Sequence, residues 1–378
     1  MKSDILIIGG GASGLMAAFH AADAAVRSGE DIQVTVLEKM HRPGRKIMIT
    51  GKGRCNFTNV KDWNAFSPHI RSRSNFVRSS FYNFPPAKTL DFFQSYGMKY
   101  VIERGDRAFP ASYRASDVVD TLVNACHSRG VKIETDFEVA SIAGTEPFSV
   151  VSVDGRKYTG RKLIIATGGL SYPSTGSSGD GYRWAEETGH SISPLFPSLT
   201  ALVPRGYKIR VNSGELHIDR SAPMDDLGKR LCGRQLKCVT ATLLIDGNES
   251  DADTGELYFT DGGIEGPVGF QLSRKAVKAL VNGSRVSLKV LVNPLSAEKD
   301  REEWNFDIDG YVGYERAVVT AGGVSDGNVV PKTMESRILP GLFFCGEVLD
   351  IDADTGGYNL QCAFSTGALA GLNAYKSL

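Results

Sequence analysis

Gly9-Gly10-Gly11-Ala12-Ser13-Gly14 sets three glycines at the spacing Gly-x-Gly-x-x-Gly, directly after the apolar run Ile5-Leu6-Ile7-Ile8. Backbone N–H groups in such a turn hold a diphosphate, provided no Cβ intrudes. Gly9 permits the sharp bend, Gly11 lets a pyrophosphate approach the backbone, and Gly14 lets the next helix sit close to its strand. Ala12 and Ser13 supply the first free N–H groups of that helix, whose positive dipole end faces the anion. Glu38 closes the next apolar run, Ile32 to Leu37. A carboxylate there accepts both hydroxyls of an adenosine ribose and disfavours a 2′-phosphate. Strand, glycine turn, Ala-rich helix from Leu15 to Ser28, strand and acid follow in the order of a dinucleotide-binding βαβ unit, so the ligand is FAD or NAD(H).

Two later strands decide between them. Leu163-Ile164-Ile165 runs into Ala166-Thr167-Gly168, and Leu342-Phe343-Phe344-Cys345 runs into Gly346-Glu347. An N-terminal glycine turn, a mid-chain Ala-Thr-Gly and a late strand ending in Gly-Glu resemble the glutathione-reductase-like flavoproteins. That resemblance implies FAD, with Glu347 approaching the ribityl and phosphate region. Between Glu38 and Asn59 lies a loop dense in cations and glycines. No Walker A pattern can be laid on it. Lys39, Arg45, Lys46, Gly53, Arg54, Cys55 and Asn56 are expected around the diphosphate and ring, while Arg42 and Lys52 read equally as solvated loop cations.

Longer stretches resemble one family, the BaiN-type flavoproteins that include the YhiN group and aminoacetone-oxidase-like proteins. They are residues 9–14, Thr-Gly-Lys-Gly-Arg-Cys-Asn-Phe-Thr-Asn at 50–59, Ala-Thr-Gly-Gly-Leu-Ser-Tyr-Pro at 166–173, and 175–182. Residues 320–324, 331–337, 346–350 and 355–361 complete the match. The resemblance implies one FAD, a split FAD-binding domain and a β-rich middle domain. It also implies NAD(P)H-linked reduction of enones or oxidation of amines. Cofactor contacts are expected from Val139 at the adenine, from Asp350, and from Gly357, Tyr358, Asn359 and Leu360. Two departures stand out. Thr260-Asp261-Gly262-Gly263-Ile264-Glu265-Gly266-Pro267 has Asp and Glu where the family usually has His and Ser. The passage from Val292 to Ala317 is also too short for the helical cap of relatives.

Composition narrows the rest. The 378 residues carry 43 Lys+Arg and 43 Asp+Glu, a zero balance that argues against nucleic-acid and membrane-surface binding. No apolar run approaches the ~20 residues of a membrane span. Six scattered cysteines without a Cys-x-x-Cys pair suit a reduced, cytoplasmic chain. The six histidines form no zinc pattern, so no metal is expected. No Gly-x-Ser-x-Gly elbow points to a hydrolase.

The fold expected is α/β: a Rossmann-like FAD-binding domain, split between 1–190 and 316–378, with an inserted β-rich substrate domain at 191–315. Strand-like runs at Leu199–Val203, Leu236–Ile245, Glu256–Phe259 and Arg285–Val292 mark the insert, and a polar stretch at 296–310 marks its exit. The insert is expected to wall the substrate pocket. A final helix over Ala363–Ala374, preceded by Gly356-Gly357, is expected to face the flavin N1–C2=O edge and stabilise the anionic reduced ring. Tyr172, Tyr358, Asp261 and Glu265 are the weak candidates for delivering a proton. Cys55 beside Arg54 reads either as a reactive thiol or as packing. The expected activity is hydride transfer at flavin N5, with NAD(P)H as a transient donor and a small, enone-like molecule as substrate. An O₂-using amine oxidase and a non-catalytic redox-sensing module are the alternatives. Nothing in the sequence decides the oligomeric state.

Overall fold

A computed structural model describes residues 1–209, 215–293 and 302–378. The chain forms two compact units. The first holds residues 1–170, 174–195 and 322–378; the second holds 171–173 and 196–321.

In the first unit, β1 (Lys2–Ile8), α1 (Ala12–Ser28) and β2 (Val34–Leu37) form the opening βαβ. There follow α2 (Arg45–Ile49), β3 (Thr58–Asn59), α3 (Trp63–Phe66), α4 (Ser74–Asn83), α5 (Pro86–Ser95), β4 (Tyr100–Glu103), β5 (Arg107–Pro110) and α6 (Ala115–Ser128). Then come β6 (Lys132–Glu134), β7 (Val139–Ala143), β8 (Phe148–Ser152), β9 (Lys157–Ile165) and α7 (Asp180–Glu187). The main sheet runs β6-β2-β1-β9-β8-β7, parallel from β6 through β9 and antiparallel beyond. The first half of β9 pairs with β8, and its second half pairs in parallel with the late strand β18 (Leu342–Phe344). Continuous aliphatic runs in β1, β2 and β9 are what a parallel strand covered on both faces requires. The last helix, named α10 below, spans Tyr358–Lys376 and lies against α1. A Cβ on Gly367 would stand 2.3 Å from Ser13 O, and one on Gly371 2.0 Å from Ala17 O, so the small residues are what lets the two backbones touch.

The chain crosses between units on β10 (Ile192–Ser198) and β17 (Val319–Val324), which pair with each other. The second unit is a closed barrel of β11 (Leu202–Pro204), β12 (Gln235–Ile245), β13 (Asn248–Thr260), β14 (Gly263–Glu265), β15 (Val286–Val292) and β16 (Glu302–Tyr311). A short α8 (Asp226–Leu231) precedes β12, and α9 (Gly266–Val281) follows β14. Alternate residues Val239, Ala241, Leu243, Leu288, Val290, Phe306 and Ile308 fill the interior, and Val268, Leu272 and Ala276 of α9 join the same core.

Three expectations need correction. The polar stretch at 296–310 is no exit linker from Glu302 onward. Those residues are the strand that closes the barrel, with Phe306 and Ile308 inward and charged residues between them; residues 296–301 lie outside the described residues. Leu199 takes a left-handed φ of 56°, so β11 starts only at Leu202. The insert is also not strands alone: residues 266–281, which no expected strand-like run covered, form helix α9.

His20 on α1 sets one pH dependence. Its ring lies edge-on to Phe19 and Phe84 at 5.3 and 4.9 Å, and Nε2 is buried without a partner. Burial lowers its pKa from 6.5 to about 4. The unfolded chain therefore takes up a proton that the folded chain refuses, and stability rises with pH through that window. Urea unfolding of the parent at pH 7 and pH 4.5 is expected to show about 2–3 kcal/mol more acid destabilisation than a His20→Leu variant shows. Equal pH dependence in the two proteins would contradict the assignment.

Candidate functional site

The parallel strands stop in register. Ile8 lies opposite Leu37 and Ile165, and Ile165 lies opposite Phe344. Gly9, Glu38, Ala166-Thr167-Gly168 and Gly346-Glu347 therefore meet along one carboxyl edge of the sheet, the edge at which open α/β sheets bind ligands.

The glycines there are unequal. Gly9 has φ 106°, and a Cβ on it would stand 2.5 Å from Ala166 O. A Cβ on Gly14 would stand 1.9 Å from Gly9 O. Gly11, at φ −81°, would meet nothing within 4 Å. The first two hold the turn together, while Gly11 leaves open space at the mouth of α1. That helix has no capping side chain and no acid in its first turn, so its leading N–H groups remain for an anion. Glu38 Oε2 accepts from Gly10 N at 2.7 Å and Oε1 from Met40 N at 2.8 Å. Burial raises its pKa against these two bonds.

Several predicted ligand residues find partners in the protein. Lys46 Nζ meets Glu347 Oε2 at 2.7 Å. Lys39 pairs with Asp180 at 3.0 Å and also bonds Ser178. Asp350 accepts from Arg73 at 3.3 Å. Asn359 uses both side-chain ends on the Ala353–Asp354 turn, leaving only its backbone for a ligand. Val139 is buried at the start of β7, and Arg45 opens α2. Arg54 is exposed, with its guanidinium 5.1 Å from the Phe109 ring centre, and Gly53 before it has φ 85°.

Cys55 is not a reactive thiol. It is fully buried, and burial pushes its pKa up to about 12. Asn56 donates from Nδ2 to Thr58 O and Ala108 O at 3.0 and 2.9 Å, yet its Oδ1 is buried without a donor. A lone buried acceptor is costly unless a ligand N–H completes it. Next to it, Gly357 caps α10 at φ 93°, where a Cβ would lie 2.5 Å from Thr58 O. Helix α10 begins at Tyr358, well before Ala363, and like α1 it has neither a capping side chain nor an acid in its first turn. Leu360 lies half-buried in that turn. Open space at Gly11, two uncapped helix ends and an orphaned amide oxygen are what a flavin dinucleotide would complete.

Three of the four proton-delivery candidates fall together within the second unit, around a residue the sequence reading missed. Arg316 holds Glu265 with Nε–Oε1 at 2.6 Å and Nη2–Oε2 at 3.1 Å, and Asp261 Oδ1 lies 3.2 Å from Nη2. Asp261 also accepts from Arg220 at 2.9 Å. Tyr172, at φ 50°, anchors its N–H on Tyr314 O at 2.8 Å. Burial raises its pKa, with Arg316 opposing. Burial also acts to raise Asp261, but Arg220 and Arg316 outweigh it and hold the carboxyl below its ordinary range. Asp261 therefore has no proton to deliver near neutral pH, and Glu265 is committed to a two-pronged ion pair. Two acids four residues apart call for a cation, but only the fold could select Arg316 for them. Tyr358 lies in the first unit, 96% buried, with burial pushing its pKa up to about 12.

The family described as HI0933-like protein Rossmann domain matches residues 3–373. The 3-dehydro-bile acid delta(4,6)-reductase of Clostridium scindens is 31% identical, the match covering 97% of each chain. That alignment runs to 424 positions against 378 residues here, so the relative carries segments this chain lacks. The ribosomal RNA dihydrouridine synthase of Escherichia coli is 29% identical over 97% of this chain and 96% of its own. Among solved structures, the 3-ketosteroid delta1-dehydrogenase of Sterolibacterium denitrificans superposes with a TM-score of 0.57 at 11% identity, covering all of both chains. At that identity the likeness concerns fold alone.

Proposed function

The chain belongs to the HI0933-like family of FAD-dependent oxidoreductases, and we propose that it reduces a carbon–carbon double bond conjugated to a carbonyl in a small organic substrate, with a reduced nicotinamide as electron donor. The observation that carries this reading is the chemistry shared by the relatives' names. A 3-oxo-4,6-diene and a uracil ring both present C=C in conjugation with C=O, and both named reactions saturate it. Bound FAD supplies the two-electron hydride chemistry of such a reduction. The α1 N-terminus would hold its diphosphate, Glu38 its ribose, and Asn56 with the α10 N-terminus its ring. No second glycine-rich βαβ unit occurs among the described residues, which suits a nicotinamide that docks, reduces the flavin and leaves.

A second reading, reduction of uracil within RNA, is favoured by the ribosomal RNA dihydrouridine synthase of Escherichia coli. The zero charge balance argues for the small molecule, because backbone binding draws on phosphate neutralisation. Anaerobic mixing tests both. NADH or NADPH is expected to bleach the flavin absorbance, and 4-androstene-3,17-dione to restore it, whereas an unmodified ribosomal RNA transcript is expected not to. Restoration by the transcript alone would transfer the reading to RNA. Restoration by neither, with rapid recovery in O₂ after an amine has bleached the flavin, would support the oxidase.

A further inference from the structure

We infer that His69, oriented by Asp354, is the acid that protonates the substrate α carbon; this rests on the double-bond reduction proposed above. None of the six histidines attracted a role from sequence spacing, yet the fold builds a site around this one. The segment His69–Arg71 runs beside Asp352–Asp354 as a short antiparallel bridge. Asp354 N donates to His69 O at 2.9 Å, and Arg71 N donates to Asp352 O at 2.8 Å. The bridge puts His69 Nδ1 2.8 Å from Asp354 Oδ2. The Asp354 side chain is 5% exposed and is also held by Arg71 through both Nε and Nη2. A buried carboxylate fixed on Nδ1–H sets the imidazole tautomer and aims Nε2 outward, as in catalytic dyads on unrelated folds. Arg71 already balances the aspartate, so the carboxylate orients the ring without acting as its sole counter-charge.

The position suits proton delivery. The imidazole stacks on the Tyr358 ring with centroids 4.2 Å apart and 20° between planes. Tyr358 is the first residue of α10, directly after Gly356-Gly357, and Asn59 Nδ2 holds Gly356 O at 3.1 Å. His69 thus lies one aromatic layer from the uncapped helix end and from the β3 backbone that Asn56 braces. Its side chain remains 36% exposed. The groups facing it are Asp354, Arg71 and the Tyr358 phenol, which burial keeps protonated; Asp352, bonded to Ser72, and Asp350, bonded to Arg73, lie further along the same bridge.

In the step assigned, hydride arrives at the β carbon and the π electron pair passes to the α carbon and its carbonyl. The Nε2–H bond of the His69 imidazolium breaks as a C–H bond forms at the α carbon. The imidazole left behind regains its proton from water. One hydride and one proton are consumed per double bond, and the nicotinamide donor replaces the electrons.

The test separates the two half-reactions by anaerobic stopped flow. His69→Asn keeps a donor on Asp354 and removes Nε2. It is expected to retain FAD and to be bleached by NADH within twofold of the parent rate, while reoxidation by 4-androstene-3,17-dione slows 10²- to 10⁴-fold. His69→Ala with added imidazole is expected to recover part of the rate, and Asp354→Asn to change the neutral-ring tautomer seen by ¹⁵N NMR of the FAD-free protein. Parent-like reoxidation in His69→Asn, or loss of FAD by both His69 variants, would overturn the inference and leave the proposed function standing. A parent enzyme that 4-androstene-3,17-dione cannot reoxidise would overturn the proposed function and, with it, the inference.

Discussion

A Gly11→Val protein is expected to melt at the parent's temperature when both are stripped of FAD, and to bind FAD about 100-fold more weakly or worse. The two halves of this result have separate causes. The backbone at Gly11 has φ −81° and ψ −169°, a region open to any L-residue, and its Cβ position touches nothing within 4 Å. The apoprotein therefore has no reason to object to a side chain. A pyrophosphate on the α1 N–H groups does, because a branched side chain occupies the approach to the backbone that the diphosphate needs. In excess FAD, a hundredfold loss of affinity removes about 2.7 kcal/mol of ligand-linked stability, so the difference appears only in the holo melt. Gly14→Ala is the contrasting control. Its methyl would stand 1.9 Å from Gly9 O, and the variant is expected to lose stability with or without cofactor. Fluorescence titration with FAD and paired thermal melts decide the matter, and a Gly11→Val protein that binds FAD like the parent would refute the assignment of this turn.

Replacing Arg316 with Met should have the largest effect in the barrel unit. Glu265 is 8% exposed in its side chain and takes two bonds from that guanidinium, while Asp261 shares it. Removal leaves a buried carboxylate without its cation, a change that costs about 3 kcal/mol or more in comparable sites. Adding Glu265→Gln to the same protein is expected to recover much of the loss, since the stranded charge is then gone. Denaturant unfolding of the two singles and the double gives the coupling energy. Additive effects would mean that the pair, despite its geometry, does not act as a unit. The pH dependence also has a sign. Asp261 is held below its ordinary range, so its contribution is present near neutrality and fades as pH falls through the carboxylate range, and the Arg316→Met variant should lose part of that acid sensitivity.

The cofactor unit was legible residue by residue because its chemistry is local. A dinucleotide turn needs Gly9, Gly11 and Gly14 within six positions, and a ribose acid needs to end the very next strand. Short-range sterics and an uncapped helix leave the same mark on the sequence as on the structure. The late strand ending at Gly346-Glu347 was legible for a similar reason, since a fully covered parallel strand is a continuous apolar run. The barrel was read less well. The closing strand Glu302–Tyr311 alternates charged and apolar residues, and without knowledge of its neighbours that pattern reads as a polar linker. Helix α9 was hidden because its apolar face serves a core made of strands.

What the sequence by itself determined is therefore the FAD-type fold, the order of its parts and the positions of its glycines, all set by backbone geometry over a few residues. Only the tertiary structure decided which charges meet. Arg316 joins Asp261 and Glu265 from more than 50 positions away, and Asp354 reaches back 285 positions to orient His69. An ion pair depends on a distance of a few ångströms between side-chain ends, and a distance of that kind between remote segments is fixed by the packing of sheets and helices, never by spacing along the chain.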